Sequence, residues 1–430
     1  MRRGIRPLLA VCLLALALVA SACGNSGDEG GGTAPGVTKD TVTVGGHFPL
    51  TGPAAPGYSE IPVAIKAYFD YVNDNGGING RKLKFVARDD AYNPTNTVKV
   101  TKQLVLEDKI FAMVGGLGTP THTKVVDFLN SSKVPDLFVS SGCLCWDDPE
   151  KSPYTFGWLP EYTVEGKILG DYIKKNFPGK KVGVFYQDDD FGENGLQGLE
   201  QDVKDQIVAR EGYQPGNTDI GPQMAAIKRA GAEVVVLFTV PTYTALAHLA
   251  ALELDFKPQF VATSVGTDPT TVGALLKEFS KGKAGTSLIE GLISDYYLPS
   301  PYDENDSWTK LFNKVREKYA PKLPNDGNVQ YGMALAYTFA DALQRAGENP
   351  TRESLIDAIE KGGMQGPPLA PYRYSKDSHA GITGLRMSQI KNGELQYMGE
   401  TLTTDDGDQP IEAYTDGNPE APADGIPPKQ

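Results

Sequence analysis

The chain has 430 residues, with 41 Lys or Arg against 54 Asp or Glu, for a net charge of −13 at neutral pH. A surface this acidic excludes nucleic acid, which demands clustered Lys and Arg, and argues against broad adhesion to anionic lipid. The length exceeds one comfortable core and predicts two domains.

Arg2, Arg3 and Arg6 precede an unbroken apolar run from Leu8 to Ala20. Those thirteen residues would span roughly 20 Å as a helix, too short for a bilayer core of about 30 Å, so residues 1–22 read as an export signal. The small-residue stretch VASAC ends it at Cys23, and the stretch GNSGDEGGGTAPG within residues 23–39 reads as a flexible tether. Beyond the signal, 38 basic residues face 54 acidic ones, a net of −16.

From Thr41 the chain alternates. TVTVGGHF, KLKFVARDD, FAMVGG and DLFVSS read as strands, separated by helical stretches that begin IPVAIKAYF, NPTNTVKV and THTKVVDF. The alternation restarts after Pro160, with strands KVGVFYQ, VVVLFTV and QFVATS and helices around Gly166–Asn176, NGLQGLEQDVKDQ and Tyr243–Leu254. Strand–helix alternation predicts an α/β fold with parallel sheets covered on both faces and right-handed crossovers. Past the irregular stretch Gly291–Pro301, three helices are expected, then strands with Asn392-Gly393 as a hairpin turn. Residues 404–430, rich in Pro, Gly and acid, are expected to be disordered.

Ligands of open parallel sheets bind beyond the carboxyl ends of strands. Seven such ends are rich in hydroxyl, glycine, aromatic and acidic residues: FPLTGPAAPG, DDAYNP, GGLGTPTH, SSGCLCWDD, QDDDFGENG, TVPTY and TSVGTDP. Seven in succession favour a shared cleft over seven unrelated turns. GGLGTPTH departs from a dinucleotide fingerprint, since Thr121 stands where the third glycine belongs, and no Walker loop occurs. It leaves a helix start with Thr119 and Thr121 as hydroxyl donors, suited to a small anion. His47, His122, His248 and His379 have no metal-ligand spacing and read as surface or packing residues, and there is no nucleophile elbow. The acid runs Asp89-Asp90 and Asp188–Asp190 read as solvated loops, and no metal or cofactor is expected.

GHFPLTGPAAPGY, followed by GGINGRKL, the DD pair, NP and the glycines of MVGGLGT, resembles the leucine/isoleucine/valine-binding protein family, the extracytoplasmic solute receptors of ABC importers. The resemblance runs with gaps from about Val42 to Glu400. It implies a type I periplasmic-binding fold: two Rossmann-like lobes joined by three crossing segments near Leu159–Tyr162, Ile293–Pro299 and Gly366–Tyr372. Residues 40–159 and 297–366 would form one lobe, 160–296 and 367–403 the other. Signal and Cys23 together resemble a bacterial lipobox, which implies a lipidated Cys23 and anchoring to the outer face of the cell membrane, the only membrane contact.

Carried onto this chain, the family pattern places a ligand carboxylate against Gly118, Thr119, Ser141 and Cys143, and an aromatic contact at Phe191. The acid that neutralises an ammonium would fall at Ser264, so Asp268 or Asp188 would have to substitute, or the ligand is not a simple α-amino acid. Tyr58, Tyr92, Trp146 and Tyr243 are candidate aromatic walls, as is Tyr296. Outside the cytoplasm Cys143 and Cys145 are expected to form a disulfide that shapes the cleft floor; free thiols or a metal site are the alternatives. The expectation is a monomeric, non-enzymatic receptor that captures a small polar solute, such as an amino acid, carboxylate or amide, and delivers it to permease subunits. A ligand sensor for a signalling partner or an exported hydrolase are the alternatives.

Overall fold

The computed structural model describes residues 34–429; the signal segment, Cys23 and the first part of the tether lie outside them. Among the described residues, no helix is long and apolar enough to cross a membrane. The last tether residues are packed, not free: the Thr43 amide donates to the Gly36 carbonyl at 2.8 Å, and Val37 is buried beside Val42.

The first sheet holds β1 (Thr41–Phe48), β2 (Lys82–Asp89), β3 (Met113–Val114), β4 (Asp136–Val139) and β5 (Thr155–Gly157), all parallel, in the order β2-β1-β3-β4-β5. Its connections are α1 (Ile61–Asp74), α2 (Pro94–Leu106), α3 (Thr119–His122) and α4 (Val126–Ser131). Asn93 starts α2 by accepting from the amides of Thr95 and Asn96, with Pro94 at the first helical position, a cap worth about 1 kcal/mol.

The chain then enters a second unit of the same order. It comprises α5 (Tyr162–Asn176), β6 (Val182–Gln187), α6 (Asp190–Val203), β7 (Ile207–Tyr213), α7 (Gly221–Arg229), β8 (Val234–Phe238), α8 (Pro241–Glu253), β9 (Gln259–Ala262), α9 (Pro269–Phe279) and β10 (Ile293–Tyr296). Strands β7-β6-β8-β9-β10 repeat the 2-1-3-4-5 pattern of the first sheet. Helices α5 and α6 cross closely because glycine lies at the contact: a Cβ on Gly198 would stand 2.1 Å from the Thr163 carbonyl oxygen.

Three further helices, α10 (Ser307–Tyr319), α11 (Gly327–Arg345) and α12 (Arg352–Glu360), return to the first sheet, with α11 lying along α1. Nearly all of α11 is buried, from Gly327 to Gln344. The chain ends on the second sheet, where β11 (Gly384–Lys391), β12 (Glu394–Thr403) and β13 (Glu412–Tyr414) extend it antiparallel. The molecule is therefore a two-lobed type I periplasmic-binding fold, and the chain passes between lobes after Gly157, Tyr296 and Glu360.

The expectation of a disordered tail fails. Strand β13 pairs with β12, and Lys167 Nζ donates to the carbonyls of Gly407 and Gln409 at 2.6 Å each. Farther on, Trp308 Nε1 donates to the Pro419 carbonyl and the Tyr68 hydroxyl to that of Gly425, both at 2.7 Å. The tail has few apolar side chains of its own. Donors from both lobes hold its backbone carbonyls instead, a contribution that composition does not register.

Candidate functional site

The switch points of the two sheets, β1/β3 and β6/β8, face one another, and their carboxyl ends enclose a cavity of about 80 Å³. Rings dominate its wall: Tyr58, Tyr92 and Tyr331 from the first lobe, Phe191 and Tyr296 from the second, Tyr302 from the segment after β10, with Tyr162 between. The polar wall is small, consisting of Ser140, Ser264, Thr267, Asn328 and one acidic side chain, Asp268. Among the described residues, no lysine, arginine or histidine lines it.

Hydrogen bonds from lobe to lobe hold the cleft closed. The Tyr58 hydroxyl donates to the Val265 carbonyl at 2.7 Å, and Thr242 Oγ1 to the Pro53 carbonyl at 2.6 Å. The Gly327 amide donates to Asp268 Oδ2 at 3.0 Å, and Gln187 Nε2 to the Tyr92 hydroxyl at 3.3 Å.

Of the residues expected at the site, Gly118, Phe191, Ser264, Asp268, Tyr58 and Tyr92 lie on this wall, as does Tyr296. Gly118 has φ of 102°, and a Cβ there would stand 2.5 Å from the Tyr92 ring, so only glycine lets that ring close over the loop. Phe191 is positioned by Asp189, which caps α6 by accepting from the Phe191 amide at 3.0 Å, and its ring packs on Tyr162 at 4.4 Å between centroids.

The others are placed elsewhere. Thr119 Oγ1 and Ser141 Oγ hydrogen-bond each other at 2.7 Å and sit behind the wall, where the Tyr162 phenol meets both. Tyr243 is in the second-lobe core, stacked on Tyr213 at 3.8 Å, its hydroxyl accepting from the Gly216 amide. Cys143 and Trp146 line a separate small crevice, with Trp146 edge-on to His122 at 5.2 Å. Cys143 and Cys145 are disulfide-bonded, with Cα atoms 5.1 Å apart, within the range a bridge needs. Asp188 is exposed and takes no part in the wall.

Carboxyl groups surround the cavity in two sets. Ser264 Oγ donates to Glu165 Oε1 at 2.6 Å, and its amide to Asp295 Oδ1 at 3.2 Å. Glu165 and Asp295 are fully buried, and both accept from Ser264, which holds their like charges close together. Burial, and then Asp295, pushes Glu165 well above the usual carboxylate range; burial raises Asp295 to about 6. The second set gathers the residues that precede three helices, Glu60 before α1, Asp268 before α9 and Asp326 before α11. Burial and the neighbouring Asp268 and Glu60 push Asp326 up to about 9, and burial raises Glu60 and Asp268. Helix N-termini partly offset this charge. Among the described residues, no group of three His, Cys, Asp or Glu side chains is arranged to hold a metal.

Against Gly116, four buried side chains form a line across the first lobe. His47 Nδ1 lies 2.8 Å from Asp90 Oδ2, and His122 Nε2 2.9 Å from Asp136 Oδ2. The two rings meet each other between them.

A model of the periplasmic binding protein family matches residues 41–394. The chain belongs to that family. A Leu/Ile/Val-binding protein homolog of Brucella suis is 24% identical over 361 residues, covering 82% of this chain and 91% of the relative. Among solved structures, a branched-chain amino acid ABC transporter protein of Thermus thermophilus with bound valine aligns with a TM-score of 0.74 at 22% identity, covering 85% of this chain and 96% of that one. A fatty acid ABC transporter substrate-binding protein of Thermomonospora curvata aligns with a TM-score of 0.75 at 22% identity, covering 87% and 95%. These two structural likenesses carry the fold. Their ligands differ, so they leave the solute of this periplasmic binding protein to its own cavity.

The sequence reading missed Ser140, Tyr162, Tyr331 and the acids Glu165, Asp295, Glu60 and Asp326. Tyr162 and Glu165 begin a helix whose first nine residues are all buried, and Tyr331 sits on a helix buried all round. Neither helix presents the polar face whose phase would have marked an inward residue.

Proposed function

We propose that the protein is an extracytoplasmic receptor that captures a small solute between its lobes and delivers it to the permease of an ABC importer. The observation that carries this reading is the ring-lined cavity whose wall comes from both lobes. A ligand that touches both lobes stabilises closure by the difference between its contacts in the closed and open states. Closure then presents the permease with a shape that the empty open form lacks. The reading assigns the protein no covalent chemistry. It acts as a monomer, held to the outer face of the membrane by lipid on Cys23.

The test is a solute screen on residues 24–430, followed by solution scattering. A bound solute is expected to raise the melting temperature and reduce the radius of gyration, and loss of the protein is expected to abolish uptake of that solute by cells. Conversion of the solute by the purified protein would overturn the reading, as would a solute that binds without compaction.

A further inference from the structure

The cavity's charge balance is one-sided. Among the described residues, five carboxyl groups stand on or directly behind its wall, those of Glu60, Asp268, Asp326, Glu165 and Asp295, and no basic side chain lines it. Buried or part-buried carboxylates are normally matched by a cation. Glu60, Asp326, Glu165 and Asp295 stand behind the wall, and of the five Asp268 alone lines the cavity.

Asp268 is tied down by the Thr271 amide at 2.7 Å and the Gly327 amide at 3.0 Å. Its neighbours on the wall are the rings of Tyr296 and Tyr302. A fixed acid on a ring-lined wall is a setting for an ammonium group. At the first-lobe side of the cavity, Ser140 and Tyr331 line the wall, 8% and 9% exposed, and their hydroxyls are neutral groups beside the space a ligand fills. The hydroxyls that the family resemblance assigns to a carboxylate, Thr119 and Ser141, are spent on each other behind Tyr162.

We propose that the cleft selects an organic amine without a free carboxylate: its ammonium lies against Asp268, its apolar or aromatic body between the tyrosines, and a neutral polar group meets Ser140 and Tyr331. This rests on the receptor reading and narrows it. An amino acid would bring a carboxylate into a space that offers it no cation and already holds Asp268, and a fatty acid would do the same without the compensating ammonium.

Two matched sets of probes decide it by calorimetry on residues 24–430: tyramine, tyrosine and 3-(4-hydroxyphenyl)propionate, and 3-methylbutylamine, leucine and 4-methylpentanoate. In at least one set the amine is expected to bind at least tenfold more tightly than its amino acid and its acid. Asp268→Asn is expected to weaken that amine at least tenfold, and the exposed control Asp188→Asn to leave it unchanged. The wild-type comparison stands alone if Asp268→Asn fails to fold. Tighter binding of an amino acid or an acid overturns the amine assignment while leaving the receptor reading intact. Binding of no amine at all also overturns it, and the broader solute screen with scattering then decides the receptor reading separately.

Discussion

His47 Nε2 lies 2.8 Å from His122 Nδ1, and the far nitrogen of each ring meets a buried carboxylate, Asp90 or Asp136. Burial pushes the His47 pKa down, and its bond to Asp90 offsets part of that. Replacing one ring is expected to be severe, because His122→Leu leaves Asp136 with only the Thr155 hydroxyl and leaves His47 without its partner. We expect a loss of about 3–5 kcal/mol in urea unfolding. A double mutant that also carries Asp136→Leu should lose less than the two single effects added together, since the stranded charge is gone. Strict additivity would show that the four groups do not act as a unit.

Closure rests on bonds that cross the cleft far from the hinge. Tyr58→Phe removes the 2.7 Å bond to Val265 and keeps the ring, and Thr242→Val removes the bond to Pro53. Each bond is worth about 0.5–1.5 kcal/mol, a factor of roughly 2 to 12 in the closed-to-open ratio. Ligand affinity should fall by that factor in each variant. In the double variant the radius of gyration of the ligand-free protein should rise in solution scattering. Unchanged affinity in both would show that these contacts follow closure without stabilising it.

The alternation of TVTVGGHF, KVGVFYQ and VVVLFTV with helical segments made both sheets legible, because β-branched runs bounded by glycine and acid have few other uses. The cleft was legible as a set of strand ends. Gly118 and Phe191 could be read there through the family resemblance, and Asp268 as an acid on the same strand-end loop as Ser264. Tyr331 and Glu165 could not, since their burial comes from a neighbour distant in sequence. Ser264 shows a different limit. Its position suggested a missing acid, yet its hydroxyl touches Glu165, which arrives from a helix ninety-nine residues earlier.

The tail gives a third prediction. Lys167 is 6% exposed, and its ammonium is satisfied chiefly by the carbonyls of Gly407 and Gln409. Ending the chain at Thr404 strands that charge and uncovers Trp308 and Tyr68, whose donors bond Pro419 and Gly425. The truncated protein should lose about 3 kcal/mol or more and melt at least about 5 °C lower. Replacing Lys167 by Met in the truncated chain should recover part of the loss. A truncation that melts like the full chain would mean the tail merely lies on the surface.

The bridge between Cys143 and Cys145 closes a loop of sequence separation 2. So short a loop removes little freedom from the unfolded chain, on the order of 1–2 kcal/mol in the entropic account. The double variant Cys143→Ser, Cys145→Ser is therefore expected to unfold within about 2 kcal/mol of the parent. Its effect should be local, at the crevice beneath the Thr119–Ser141 pair. Thiol titration of unreduced, unfolded residues 24–430 should find neither of these two cysteines reactive; two additional thiols from this pair would disprove the bridge.

His248 supplies a pH dependence of known sign. It lies in α8, 4% exposed, its Nδ1 bonded to the Thr244 carbonyl at 2.8 Å and its ring packed on Phe260 at 4.1 Å. Burial lowers its pKa to about 4, against about 6.5 in the unfolded chain. Below pH 6.5 the unfolded state binds the proton and the folded state does not, so folding loses stability as pH falls from 6.5 to about 4. The loss from this one group approaches about 3 kcal/mol. Above 6.5 neither state is charged, and its contribution is constant. Raised carboxyls such as Asp326 act in the opposite direction, so the comparison is made between two proteins across pH. His248→Phe keeps the ring contact and removes the titration. It should be about 1 kcal/mol less stable than the parent at pH 8, for want of the Thr244 bond, and the more stable of the two at pH 4.5. Parallel stability curves from pH 8 to 4.5 would show that His248 binds its proton equally well in the folded state.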